Sequence, residues 1–185
     1  MLFEKGAFDE RTWSYLGVAT AILQQDAQRL FEVWQREELA RWTADPKAAL
    51  AELLEATVGL LDELAHGKLR DALAAQNPSL LESPFSQNTL FDYENNLRGV
   101  ENVYLGRYGL HDGPGLGDLV RLQDPALDRK IRQALIGAKA ALAAIPFPLE
   151  EALSSHPEKV REAIDKIERL LSIFNDELKP LLSSL

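Results

Sequence analysis

The sequence predicts an all-α protein, an antiparallel bundle of four to five helices with a Gly-rich loop. Three observations predict it. Apolar residues recur at steps of three and four along most of the 185 residues, the period of a helix with one buried face. Helix-capping residues and prolines punctuate these stretches at their ends. The connections between them are short, which forces neighbouring helices to reverse direction. Hydrophobic residues make up 46% of the chain, enough for a core of its own. The sequence contains no convincing strand, no fixed-period repeat and no linker, so residues 1–185 read as a single domain.

The first helix spans about Asp9 to Trp42, with Trp13, Leu16, Val18, Ile22, Leu23, Leu30, Phe31 and Trp34 on its apolar stripe and Asp9 or Thr12 as its cap. Asp45-Pro46 reads as the cap and first position of a second helix, whose core positions include Leu50, Leu53, Leu54, Val58, Leu61, Leu64 and Leu69, and which fades by Asn77-Pro78. After a break at 81–86, a third helix runs from about Gln87 to Leu105 with Leu90, Tyr93, Leu97, Val100 and Tyr104 on one face. The glycines from Gly106 to Gly117 demand a loop. A fourth helix follows from about Pro125 to Ile145, carrying Leu127, Ile131, Leu135, Ala138 and Leu142, and Pro146-Phe147-Pro148 ends it. A short turn at 149–153 leads to Ser155-His156-Pro157, the start of a last helix with Val160, Ile164, Ile167, Leu170, Leu171, Phe174 and Leu178.

Charge and composition exclude several classes of function. The net charge is −9, which disfavours nucleic acid and an anionic membrane face, since both are bound by cationic surfaces. The same acidity is compatible with a cation and equally with a solvated acidic exterior. Without cysteine the chain has neither disulfides nor thiolate metal sites. No apolar run approaches the roughly 20 residues of a membrane span. Met1 to Gly6 lacks the basic and apolar regions of a signal peptide, so either the protein is cytoplasmic or this N-terminus is a boundary within a longer protein.

The stretch from Glu82 to Asp118 departs from a generic bundle. Asp92, Asn96, Gly99 and Val103 fall at helical steps of four, three and four, which sets a polar pair beside a glycine. A glycine inside a helix costs about 1 kcal/mol against alanine and commonly marks the close approach of another backbone or a ligand. Glu82-Ser83-Pro84-Phe85-Ser86, the Asp92/Asn96 pair, Tyr104-Leu105-Gly106 and Gly115-Leu116-Gly117-Asp118-Leu119-Val120 occur in an order and spacing that resembles the C-terminal half of the imelysin (peptidase M75) family. The resemblance continues through Leu127-Asp128 and Ile145 to Leu149 to the final helix, and upstream through Tyr15 to Trp34, so it covers nearly the whole chain.

That resemblance implies a location in the periplasm or cell envelope, a link to the uptake of iron or another divalent cation, and a protein of two packed helical bundles about twice this length. The family's Gly-x-His-x-x-Glu motif lies in the other half. Here Gly109-Leu110-His111-Asp112 has a different spacing and position 114 is Pro. The implied partner is therefore an N-terminal imelysin-like half, or another copy of the chain.

Glu82, Ser86, Asp92 and Asn96 form the best candidate cluster. In one reading Ser83 or Ser86 caps the third helix, Glu82 stabilises its positive end, and Asp92 and Asn96 bond neighbouring helices. In the other they face the missing half and complete a polar cleft, with Arg98 and Arg107 orienting an anionic ligand and Tyr104 and Tyr108 as walls. His111 and Asp112 are weak candidates for a cation. His66 near a helix C-terminus and His156 at a helix start need no further role. No His-x-x-x-His pair, nucleophile elbow or phosphate loop is present, and no catalytic residue is assigned. The sequence therefore predicts a non-catalytic binding module for a metal ion or small ligand, with a metal-dependent peptidase fragment and a structural or assembly module as alternatives.

Overall fold

A computed structural model of the chain describes residues 9–183. It is all-α, 83% helical with seven helices. Helix α1 (10–44) and helix α2 (46–75) each contain a wider π-helical turn, at Trp34–Glu38 and Glu63–Arg70. They are followed by α3 (Thr89–Leu105), α4 (Leu116–Gln123), α5 (Pro125–Ala143), α6 (Leu149–Ser155) and α7 (157–183). Residues 1–8, on which the signal-peptide reading falls, lie outside the described residues.

Two compact units partition the chain, residues 1–50 and 51–185. In the first, Asp9 caps α1 by accepting the Thr12 N–H at 2.8 Å, and Asp45 accepts the Ala48 N–H at 3.0 Å, so both predicted caps form. Trp34 and Trp42 meet edge to face, with ring centroids 5.2 Å apart. The apolar stripe of α1 is not buried. Leu23 is 69% exposed, Phe31 55% and Trp34 44%, and no α1 residue from Glu10 to Val33 is buried.

The second unit holds the core. Helix α5 packs against α3, α4 and α7, and α7 also packs against the π-helical turn of α2 and against α6. The predicted faces meet there: Leu90, Tyr93, Leu97, Val100 and Tyr104 of α3, Leu127, Ile131, Leu135, Ala138 and Leu142 of α5, and Val160, Ile164, Ile167, Leu170, Phe174 and Leu178 of α7 are all buried. Burying a large aliphatic or aromatic side chain stabilises by about 1.5–3 kcal/mol, which is why these stripes decide the packing.

The glycine segment differs from the expected loop. Arg107–Tyr108 (β1) and His111–Asp112 (β2) pair antiparallel as a small exposed hairpin, and Leu116–Gln123 is helical. Backbone contact imposes this. Gly106 has φ +69, and a Cβ there would lie 2.2 Å from the Gly113 carbonyl oxygen; a Cβ on Gly115 would lie 2.3 Å from the Gly106 nitrogen. The hairpin thus returns directly onto the end of α3, and Gly113 N–H bonds the Gly106 carbonyl at 2.9 Å. Asp118 then caps α4 by accepting the Gly115 N–H at 2.9 Å. That bond above all holds its carboxyl below the usual carboxylate range; desolvation opposes it, and Arg121 and Arg132 help.

Gly115→Ala and Gly106→Ala are each expected to destabilise the protein by about 2–3 kcal/mol in urea unfolding, because main chain must move. Gly59→Ala, at a helical site with nothing within 4 Å, should raise stability by roughly 0.5–1 kcal/mol. Asp118→Asn should lower stability at neutral pH. A depressed carboxyl pKa contributes stability that is present above the unfolded value and lost as pH falls through the folded one. The gap between Asp118→Asn and the parent protein should therefore close below about pH 4 in pH-dependent melting.

Candidate functional site

The start of α3 gathers polar side chains from several elements. Thr89, fully buried, accepts the Ser83 N–H and donates to Glu150 Oε1 on α6, each at 3.2 Å. Lys68, on the π-helical turn of α2, pairs with Glu82 at 2.9 Å and Glu63 at 3.5 Å, and its Nζ sits 5.7 Å from the centroid of the Tyr93 ring. Asn88 donates to Asp92 Oδ1 at 2.7 Å. The Tyr93 phenol is pushed above the ordinary tyrosine value, chiefly by burial and further by the charges of Glu82, Asp92 and Glu150, while the Glu82 main chain pulls the other way. Tyr93 is therefore a neutral hydroxyl within the field of three carboxylates.

Several side-chain atoms here are buried without a hydrogen-bond partner among the described residues: Asp92 Oδ2, Asn96 Nδ2 and Glu150 Oε2. Leaving such a group unpaired costs about 1–3 kcal/mol, and native proteins seldom tolerate several in one place. The row Asp92, Asn96, Gly99 and Val103 is only half-buried, and a Cβ on Gly99 would meet nothing within 4 Å. Among the described residues no close neighbour stands over Gly99, so the helix is open at that position.

The other predicted residues are distributed around the fold. Glu82 belongs to the cluster through Lys68. Ser86 is exposed and donates to the Ser83 carbonyl at 3.3 Å, so neither serine caps α3; Asn88 occupies the cap position, and its side chain makes no capping bond to the main chain. Arg98 lies on a different face, beside Glu94 and Lys139. Tyr104 is fully buried at the far end of α3 and donates to Asp128 Oδ1 at 2.8 Å. Tyr108 and His111 are exposed on the hairpin, and Asp112 is paired with Arg107 at 3.2 Å. His66 bonds Asp62 through Nδ1 and Glu168 through Nε2, each at 2.8 Å, so it links α2 to α7. Among the described residues no group of three His, Asp or Glu side chains is placed to hold a metal ion.

Lys68, Tyr93, Thr89 and Glu150 were not singled out from sequence as site residues. Tyr93 was read as core from its spacing, which its buried ring matches. Thr89 and Glu150 meet across 61 positions, and no local spacing announces such a pair.

A helical scaffold with an open polar ridge on one helix defines the class of protein, and comparison with known proteins identifies the family. The family model described as Imelysin, peptidase M75, matches residues 1–174, and the chain belongs to this family. Iron-regulated protein A of Synechococcus elongatus is 38% identical over 116 residues, which span 61% of this chain and 32% of that protein. The crystal structure of an imelysin peptidase from Bacteroides ovatus matches with a TM-score of 0.74 and 23% identity, over 86% of this chain and 51% of that one. That of a putative iron-regulated protein A precursor from Parabacteroides distasonis matches with a TM-score of 0.59 and 22% identity, over 69% and 38%. This chain therefore spans about half or less of each relative's length.

Because the Asn96 amide is unpaired, Asn96→Leu should leave stability unchanged or raise it by up to about 1 kcal/mol in thermal unfolding. A loss larger than that would show that Asn96 is a structural residue.

Proposed function

We propose that this chain is a non-catalytic binding module, an antiparallel helical bundle that contributes one wall of a polar cleft. The opposite wall comes from a second imelysin-like helical half or another copy of the chain. The observation that carries this reading is the set of unpaired buried atoms on Asp92, Asn96 and Glu150 beside a helix that is open at Gly99. Water or a ligand held from the far side would satisfy them. The length of the relatives, of which this chain matches 32% to 51%, supports the existence of a second half.

The ligand class that fits the cluster is a cation, iron or another divalent ion, taken up in the cell envelope. The names of two relatives mention iron regulation, and Asp92 Oδ2 and Glu150 Oε2 are carboxylate oxygens still without a partner. These two carboxylates fit such an ion as hard oxygen donors. They are too few to hold it alone, so the remaining ligands belong to the opposite wall. Lys68 holds Glu82 back from the ion, and the neutral Tyr93 hydroxyl donates to a bound water or anion.

Calorimetric titration of the chain with ferrous, zinc and calcium ions tests this reading. Weak binding is expected for the chain by itself, and Asp92→Ala should reduce it about tenfold or more. Binding untouched by both Asp92→Ala and Glu150→Ala would remove these residues from the site.

A further inference from the structure

At the other end of α3, remote from the cluster around Thr89, a cavity of about 510 Å3 is lined by three arginines, Arg107, Arg121 and Arg132, and two aspartates, Asp112 and Asp118, with Tyr104 at its back. The lining carries more positive than negative groups in a chain whose net charge is −9. The arginines come from three elements: β1, α4 and α5. Only the hairpin's return onto α3 brings the first of them to the other two.

The aspartates orient these guanidinium groups without saturating them. Arg107 gives Nε to Asp112 at 3.2 Å, Arg121 gives one terminal nitrogen to Asp118 at 2.7 Å, and Arg132 gives Nε to both oxygens of Asp128, at 2.9 and 3.0 Å. A guanidinium has five N–H groups, so each keeps further donors beyond these bonds. Arg132 is held most firmly. Its anchor Asp128 is 5% exposed and also accepts from Tyr104, and the guanidinium carbon lies 5.7 Å from the Tyr104 ring centroid. Gly117 leaves room for it, because a Cβ there would come within 3.1 Å of Arg132 Nη2. Ordering a cationic side chain before the ligand arrives lowers the entropic cost of binding.

We propose that this cavity binds a phosphate-bearing small molecule. A planar carboxylate is satisfied by one arginine in a two-pronged pair, whereas a tetrahedral oxyanion presents oxygens in several directions and can engage three guanidinium groups at once. The cavity is larger than a bare phosphate ion, so the ligand is a phosphate monoester whose organic part lies against Leu105 and Pro114. The site shares no residue with the proposed cation cluster, and either assignment stands if the other fails.

The test is calorimetry of the whole chain in low-salt, phosphate-free buffer, with inorganic phosphate and glycerol phosphate as probes. Both should bind, the ester more tightly, and affinity should fall as salt is raised. Arg121→Gln and Arg107→Gln, both at exposed positions, should each weaken binding roughly tenfold, the effect of losing one charge-assisted pair. Asp92→Ala should leave it unchanged. Tighter binding of inorganic phosphate than of the ester would restrict the site to the free ion and overturn the monoester assignment. The absence of heat at about ten millimolar of either probe, or equal affinity in a folded Arg107→Gln/Arg121→Gln double variant, would overturn the site altogether.

Discussion

Helix α3 can bury only one side within this chain, and that limit organises the rest of the molecule. Its apolar side, from Leu90 to Tyr104, is packed in the core. The row beside it carries Asp92, Asn96 and Gly99, half-buried, with no described residue over the glycine. Apolar packing fixes the helix strongly enough for polar atoms of Asp92 and Asn96 to be held without a hydrogen-bond partner among the described residues. Such tolerated local cost is characteristic of surfaces whose partners arrive later.

The two ends of α3 are secured by different physics. At the N-terminal end, side-chain bonds from Thr89 to Glu150 and from Lys68 to Glu82 join the helix to α6 and α2. At the C-terminal end the contact is main chain on main chain, through Gly106 and Gly115, with Tyr104 donating to a buried Asp128 that Arg132 neutralises. A buried carboxylate is stable only when paired and hydrogen-bonded, and Asp128 meets both conditions. The first end leaves oxygens of Asp92 and Glu150 and the Asn96 amide nitrogen unpaired, whereas the second leaves guanidinium N–H groups beyond those that its aspartates accept.

Much of the fold was legible because helical periodicity and capping chemistry act over a few residues. Asp9, Asp45 and Pro157 mark helix starts in the sequence and in the structure alike. Misreadings arose where a contact is nonlocal. Glycine density between 106 and 117 predicts a loop, but Gly106 and Gly115 are places where two backbones touch, and the segment forms a hairpin followed by a helix. Gly99 was read in the opposite sense, as a site of close approach, and is open. The Asp92 and Asn96 pair was visible in the spacing; its neighbours Lys68, Thr89 and Glu150 were not, since they come from separate elements joined only by folding.

By itself, then, the sequence determined the helical class, the faces that enter the core, the family resemblance and the polar pair on α3. These are encoded in period and in short motifs, which elementary sterics and burial translate directly. Only the tertiary structure decided that Tyr93 sits among three carboxylates and that three arginines share one cavity. Those outcomes depend on which distant segments meet, and that is settled by the total packing of the chain rather than by any local run of residues.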